Sequence, residues 1–180
     1  ELNIPKFNIE EAKKLIEESG VPPEQRKITW VAYGGVDVLK NVALLFQANA
    51  KKAGLEVEIA QGDWGVMWDK QKKLETSFNV YPYRNWPDYP TIQPSATLKT
   101  QKDGEVSFNF SYLSDADVDK WIDEGTAAEA VDKAKASEAW NKAYQKAIDE
   151  GAQINLADTK RVITHSAKLE GITTDAAYET

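Results

Sequence analysis

The feature that most constrains the fold is the stretch KITWVAY, Lys27 to Tyr33, which is apolar on both of its alternating faces. Successive side chains of a strand point to opposite faces, so a strand of this kind has to be covered on both sides. Such coverage is typical of a parallel sheet enclosed between helices. The pattern therefore predicts an α/β protein.

A helix is predicted before this strand, from about Ile9 to Ser19. Asn8 followed by Glu11 has the form of an N-cap with its capping-box partner, and the apolar residues between them and Ser19 share one face. Gly20 is a helix-ending residue, and the two prolines that follow prevent the helix from resuming.

A second helix and a second strand follow, as in a βαβ unit. The helix is predicted from Val36 to Ala53, because apolar residues recur on one face and Gly54 can end it. The next stretch, Leu55 to Ala60, alternates apolar and polar residues and is predicted to be a strand. Strands joined in this way lie parallel in one sheet.

A third helix and strand extend the same pattern. Asp63 can cap a short helix that carries Trp64, Met67, Trp68 and Leu74. Ser77 to Tyr81 is then predicted to be the third strand. The expected fold is a mixed, largely parallel sheet with helices on both faces.

The rest of the chain is predicted to be mainly helical. Residues 91–110 lack periodicity and are interpreted as a loop, with room for a hairpin turning at Asp103 and Gly104. One helix begins after Ser114 and another ends near Glu150. The sequence leaves open whether they are separate helices, with a capping box at Thr126 and Glu129, or one continuous helix. Short strands are predicted for QINLA, RVITH and KLEGI.

The stretch from Ser77 to Thr91 is the candidate binding region. Three prolines force the chain out of the sheet here, since they lack a backbone donor and restrict the residues before them. The residues that follow the strand combine aromatic surface with donors and acceptors, a mixture that ligand sites use: Tyr83, Arg84, Trp86, Asp88 and Tyr89. The alternative is a surface turn whose aromatic rings pack on the core. If it is a site, we expect exposed rings around Tyr33, Trp86 and Tyr89, at the carboxyl ends of the strands.

Composition excludes several functions. A formal net charge of -7 argues against a nucleic-acid partner, because such partners are bound through Lys and Arg. The absence of Cys removes thiolate chemistry, and His165 is the only His, so we expect no metal, cofactor or catalytic triad. No apolar run is long enough to span a membrane. Acid pairs on the predicted helices leave a carboxylate-based hydrolase as an alternative, although we expect no enzyme.

The order of several fragments resembles the substrate-binding proteins of peptide-type ABC importers, solute-binding family 5. NIEEAKKLIEESGVP and the following KITWVAY resemble a helix and strand of that family, and LLFQANAKKAGLEVEIAQGDW is similar to its next helix-to-strand segment. FNVYPYRNWPDYP resembles its W-x-x-DYPDP stretch. SYLSDADVDKWIDEG and AWNKAYQKAIDEGAQINL are similar to its later helices.

The resemblance implies a periplasmic-binding-protein type II-like lobe. All matching segments belong to the C-terminal lobe of the family, so residues 1–180 are expected to form a single lobe of a longer protein whose N-terminal lobe is missing. That the chain opens at Glu1 without an initiator Met agrees with a processed protein or a piece of one. The implied partners are a peptide, or alternatively an oligosaccharide, and the importer's membrane subunits. The implied location is extracytoplasmic, either periplasmic or as a cell-surface lipoprotein, and Asp88 matches a carboxylate that pairs with the ligand's amino terminus.

Overall fold

The computed structural model describes residues 2–83, 92–102, 108–156 and 164–171. The chain forms two compact units, which are described separately below. We call Pro5–Arg84 the sheet unit, because it contains the strands, and Asn85–Thr180 with Glu1–Ile4 the helical unit.

The sheet unit is built on a parallel pair of strands. β1 (Lys27–Tyr33) pairs with β2 (Glu56–Gly62) along their whole length, from Lys27 opposite Glu56 to Tyr33 opposite Gly62. The prediction of two parallel strands is confirmed, and β2 begins one residue later and ends two residues later than predicted.

Three helices accompany these strands, and each begins at its predicted cap or next to it. They are α1 (Ile9–Glu18), α2 (Asp37–Ala53) and α3 (Trp64–Gln71). The Asn8 side chain accepts a hydrogen bond from the Glu11 amide at 3.1 Å, and Asp63 caps α3 in the same manner. Leu74, predicted to lie on the third helix, instead lies in a short 3-10 turn after it and is exposed.

The two faces of the strand pair carry separate apolar clusters, because neighbouring β1 residues point in opposite directions. On one face Trp30 and Val57 pack with residues of α2, and the ring of Phe46 lies 4.6 Å from that of Trp30. On the other face Val31 packs with Met67 of α3. The prediction of an α/β fold with helices on both faces is therefore confirmed.

The predicted third strand, Ser77 to Tyr81, is wrong. It contributes a single parallel bridge, between Val80 and Trp30. Neighbouring backbone groups are satisfied by side-chain amides instead of a ladder: Phe78 N–H donates to Gln71 Oε1 at 2.9 Å, and Asn79 Oδ1 accepts from Thr29 N–H at 2.8 Å. Within the described residues the sheet therefore has two strands.

The helical unit contains α4 (Ile92–Thr97), α5 (Ala116–Ala128) and α6 (Lys133–Asp149). Its core is formed by buried residues from these helices and the residue after α4: Leu98, Val118, Ile122, Ala143 and Ala147. The interpretation of residues 91–110 as loop is wrong for 92–97, which are helical. The two helices that the sequence left open, α5 and α6, are separate. Asp132 caps α6 by accepting from the Lys135 amide at 3.0 Å.

Three smaller predictions also differ from the structure. α5 is capped by Asp115, one residue after the predicted Ser114. Thr126 lies inside α5, where its hydroxyl donates to the Ile122 carbonyl at 2.9 Å. Where the predicted strands QINLA, RVITH and KLEGI fall within the described residues, at 153–156, 164–165 and 168–171, they form no strand.

Candidate functional site

The carboxyl ends of β1 and β2 open into a cleft of about 520 Å³ within the sheet unit. Parallel strands bring both carboxyl ends to the same edge, which is where open α/β sheets bind ligands. The cleft is lined by residues at the ends of the two strands, in the connections that follow them and in the first turns of α2: Ala32, Tyr33, Gly34, Gly35, Val36, Asp37, Lys40, Gln61, Gly62 and Asp63.

The floor of the cleft is held by a contact between the two connections. Gly34 N–H donates to the Gly62 carbonyl at 3.0 Å, which continues the ladder one step beyond β1. Gly62 also leaves space for the side chain behind it, because a Cβ at this position would lie 2.0 Å from Met67 Cε. The glycine therefore leaves room for Met67 to pack against the connection that lines the cleft.

The rim of the cleft carries charge of both signs. Asp37 lies in the first turn of α2 and Lys40 lies one turn further along the same helix. Asp63, on the opposite connection, accepts a hydrogen bond from the Gly65 amide at 2.9 Å and so is already engaged as a helix cap. A rim of this composition can accommodate a polar solute with both a positive and a negative group.

The segment after α3 leads to the same edge. Val80 N–H donates to the Thr29 carbonyl and the Val80 carbonyl accepts from Val31 N–H, both at 3.0 Å. Further on, the Tyr33 hydroxyl donates to the Pro82 carbonyl at 3.1 Å. Residues 80–82 thus run beside β1 in the same direction and reach the edge at which the cleft opens.

Two of the six predicted site residues lie in the described part of the chain. Tyr83 directly follows Pro82 and is 44% exposed, and burial of the rest of the side chain raises the pKa of its hydroxyl. Tyr33 lines the cleft but is only 7% exposed, so the expectation of an exposed ring is wrong there. Its ring is covered because Tyr81 lies beside it, with ring centroids 6.1 Å apart. The other four predicted residues lie outside the described residues: Arg84, Trp86, Asp88 and Tyr89.

An exposed aromatic residue that the sequence analysis did not assign to the site lies beside the cleft. Trp64 follows the cleft residue Asp63, is 50% exposed, and has its ring centroid 5.0 Å from that of Trp68. The sequence analysis placed both tryptophans on the short helix capped by Asp63 and gave neither a role in the site. The signal that points to Trp64 is its position, since it comes directly after the carboxyl end of a strand.

The described residues contain neither a cluster that could hold a metal nor a helix fit to cross a membrane. No group of three or more His, Cys, Asp or Glu side chains converges within residues 2–83, 92–102, 108–156 and 164–171. In the same ranges no helix combines the length and apolar character of a membrane span.

Several solved structures resemble this chain in fold. The oligopeptide-binding protein AppA from Bacillus subtilis, in complex with a nonapeptide, is 16% identical with a TM-score of 0.67 over 84% of this chain and 32% of its own. A putative peptide binding protein AppA from Clostridium difficile is 23% identical, with a TM-score of 0.66 over 82% and 29%. NikA from Staphylococcus aureus, in complex with Ni(L-His)2, is 21% identical, with a TM-score of 0.57 over 84% and 31%.

These likenesses establish the fold, and the chain spans about a third of the length of each structure. No curated protein sequence matches the chain. The model of the bacterial extracellular solute-binding proteins, family 5 Middle, matches residues 1–107, which is more than half of the 180 residues. This chain therefore belongs to the family 5 bacterial extracellular solute-binding proteins.

Proposed function

We propose that this chain is one ligand-closing lobe of an extracytoplasmic receptor that binds a peptide and delivers it to an ABC importer without transforming it. Membership of the solute-binding family supports the receptor role. The solute of one structural relative, AppA from Bacillus subtilis, is a nonapeptide, which favours a peptide here.

The observation that carries the proposal is that residues 80–82, which precede the candidate binding residues from Tyr83 onward, reach the edge of the sheet at which the cleft opens. The 3.1 Å hydrogen bond from the Tyr33 hydroxyl to the Pro82 carbonyl ties the end of that segment to a residue that lines the cleft. A ligand at the carboxyl ends of β1 and β2 would then be within reach of both the mixed-charge rim and Tyr83. Convergent polar groups beside aromatic surface are the usual composition of a solute site.

In this proposal Asp88 pairs with the ammonium group of the peptide. The other five residues supply aromatic walls and one guanidinium donor: Tyr33, Tyr83, Arg84, Trp86 and Tyr89. An ammonium about 4 Å from a carboxylate gains roughly 4 kcal/mol at an effective dielectric of 20, but only about 1 kcal/mol in bulk water. The pairing is therefore strong only if solvent is excluded.

Solvent exclusion requires a second lobe, which the proposal assigns to the rest of a longer protein. These two structural relatives are more than two and a half times as long as this chain, so they have ample chain for another lobe. The remaining partners in this proposal are the membrane subunits of an ABC importer, and the location is outside the cytoplasm.

An oligosaccharide is the second candidate solute, and Trp64 is the observation in its favour. Trp64 directly follows the cleft residue Asp63 and its ring is half exposed, and flat aromatic surfaces can stack on sugar rings. A peptide makes less use of such a ring unless it has an apolar side chain to place there. The two candidates therefore differ in their dependence on Trp64 and on Asp88.

Calorimetric titration of the full-length protein tests the proposal. Asp88→Asn should weaken tetraalanine binding by about 1.5 to 3 kcal/mol, because a charged hydrogen bond is lost, and should hardly affect a neutral tetrasaccharide. Trp86→Ala should weaken either solute. The matched control is Asp69→Asn, which removes an exposed carboxylate on α3 that is paired with Lys72 at 2.7 Å.

The outcome is decisive in both directions. A loss with Asp88→Asn but not with Asp69→Asn supports the peptide site. Unchanged affinity in both site variants, for every solute that the wild type accepts, removes the stretch from the binding site. The 180-residue chain alone should bind the same solute more weakly than the full-length protein, because the second lobe is absent.

A further inference from the structure

Gln71 is a polar residue whose side chain is buried in the sheet unit. It is the last residue of α3 and is 1% exposed, and within the described residues only Asn109 shares the class of buried polar side chains. An amide in such a place costs free energy unless its hydrogen bonds are made. Its partners therefore indicate what it does.

The Gln71 amide contacts both backbone groups of one residue. Its Oε1 accepts from Phe78 N–H at 2.9 Å, and its Nε2 lies 3.5 Å from the Phe78 carbonyl oxygen, a long and weak hydrogen bond. A peptide group of a neighbouring strand would present one acceptor and one donor in a similar way. Gln71 thus takes the place of a strand neighbour for Phe78.

The other side of the same segment is fixed by β1. Asn79 Oδ1 accepts from Thr29 N–H, Val80 exchanges backbone hydrogen bonds with Thr29 and Val31, and Pro82 accepts from the Tyr33 hydroxyl. Phe78 packs in the cluster of Val31 and Met67, whereas Val80 packs in the cluster of Trp30. A slip by one residue would bring Asn79 towards a core position and break the Gln71 contact.

We propose that Gln71 is a positioning residue: its amide fixes the register of residues 78–82 along β1 and thereby the point at which the chain leaves β1 before Tyr83. The effect on ligand affinity rests on the function proposed above, whereas the effect on register does not. An apolar side chain of the same size would fill the space but would leave Phe78 N–H without its acceptor. A buried amide at this position is explained if it fixes the register of the segment.

Two variants test the role of the Gln71 amide. Gln71→Leu keeps the volume and removes both hydrogen bonds. Gln71→Glu is the matched polar variant, because a carboxyl group keeps an acceptor for Phe78 N–H in either protonation state, whereas only the neutral acid can also donate to the Phe78 carbonyl. Burial raises the pKa of such a carboxyl group, so mild acid favours the neutral form, which can make both hydrogen bonds. Ala53→Gly, at the end of α2, is the control for a general loss of stability.

Amide hydrogen exchange in the 180-residue chain gives the first measurement. In Gln71→Leu we expect the protection factors of Val31 and Val80 to fall about tenfold while other β1–β2 amides keep theirs. Near about pH 5, where the neutral carboxyl group can make both hydrogen bonds, Gln71→Glu should keep protection that Gln71→Leu loses. Equal protection of Val31 and Val80 in Gln71→Leu and Ala53→Gly, or in Gln71→Leu and Gln71→Glu near that pH, overturns the proposal.

Affinity for tetraalanine in the full-length protein gives the second measurement. It should fall about tenfold in Gln71→Leu and stay unchanged in Ala53→Gly, even though both variants are less stable. If the wild type binds no tetraalanine, the proposed peptide site fails and the exchange result still decides the role of Gln71. If exchange responds as expected but affinity does not, register is set by Gln71 and the link to binding is refuted.

Discussion

Replacing Gly125 by alanine should destabilise the protein, although the same change stabilises most helices. Gly125 lies inside α5 and is buried against Trp140 of α6. A Cβ at this position would lie 2.2 Å from Trp140 Nε1 and 2.4 Å from its Cδ1. The close approach of the indole to α5 therefore depends on the missing side chain.

The sign of the effect follows from two opposing terms. Gly to Ala in a helix interior gains about 1 kcal/mol from propensity. Overpacking a well-filled site costs about 1 to 3 kcal/mol, and a methyl group about 1.3 Å inside normal contact with a rigid ring belongs at the upper end. The expected net loss is about 2 kcal/mol, or roughly 4 to 8 °C in Tm for a chain of this size.

Urea unfolding followed by circular dichroism provides the measurement, and two further variants make it specific. Ala127→Gly, at an exposed position of the same helix, should cost about 1 kcal/mol and so calibrates the propensity term. In a Trp140→Leu background the overlap is gone, and Gly125→Ala should then stabilise by up to about 1 kcal/mol. The reasoning is refuted if Gly125→Ala stabilises the wild type, or if its sign is the same in both backgrounds.

Three further predictions concern buried hydrogen bonds and one ion pair. Asn109→Ala should lower the free energy of unfolding in urea by about 2 to 4 kcal/mol, because the buried Asn109 Nδ2 donates to the carbonyls of Lys99 and Leu113. Ser111→Ala removes one donor to Asn109 Oδ1 and should cost about 1 kcal/mol. Tyr33→Phe should cost about 1 kcal/mol, since the buried Pro82 carbonyl loses its donor, and an unchanged Tm would contradict the 3.1 Å contact. The third prediction is a pH effect: hydrogen bonds, first from Lys146 and then from the Val118 amide, lower the pKa of Asp115 below its usual 3.8. Ionised Asp115 therefore stabilises the fold above pH 3.8, and this contribution is lost as the pH falls through the lowered pKa of the folded state. Lys146→Met removes the first-named cause of the lowered pKa, so the drop in Tm on acidification should be smaller in this variant than in the wild type.

Local signals in the sequence predicted the elements whose cause is local. Asn8, Gly54 and Asp63 act on backbone groups within a few residues, and all three helix ends were found where these residues predicted them. The apolar faces of Lys27 to Tyr33 likewise predicted a covered parallel strand, because alternation depends only on neighbouring residues.

The incorrect predictions concern contacts between distant residues. Ser77 to Tyr81 has the composition of a strand, but the Gln71 side chain accepts from its Phe78 N–H, and its Asn79 side chain, in place of a backbone carbonyl, accepts from Thr29 N–H of β1; no periodicity reveals such contacts. Helix α4 was missed because residues 92–97 are short, lack an apolar stripe and contain Pro94, which a helix tolerates only in its first turn.

The position of the cleft could be predicted from the sequence, whereas the part that individual residues play in a site could not. The expectation that a ligand surface lies at the carboxyl ends of the strands agrees with the position of the cleft, since it follows from parallel topology. The burial of Tyr33 was not predictable, because Tyr81 and Pro82, which cover it, come about fifty residues later. The roles of Arg84, Trp86, Asp88 and Tyr89 remain proposals.

The outer side of β2 has a consequence for the solubility of the chain. Within the described residues β1 is the one strand paired with β2, and the Gln47 side chain covers one β2 carbonyl, that of Val57, at 2.7 Å. Because exposed Glu56 and Glu58 of this strand pair with Lys27, it is chiefly the net charge of -7 that opposes the approach of another copy at neutral pH. The net charge passes through zero near pH 4.9, and in stronger acid the 22 Lys and Arg side chains leave the chain positive, so that copies repel again. A pH near 4.9, more than moderate warming, is therefore the condition under which copies of this chain would join edge to edge and aggregate.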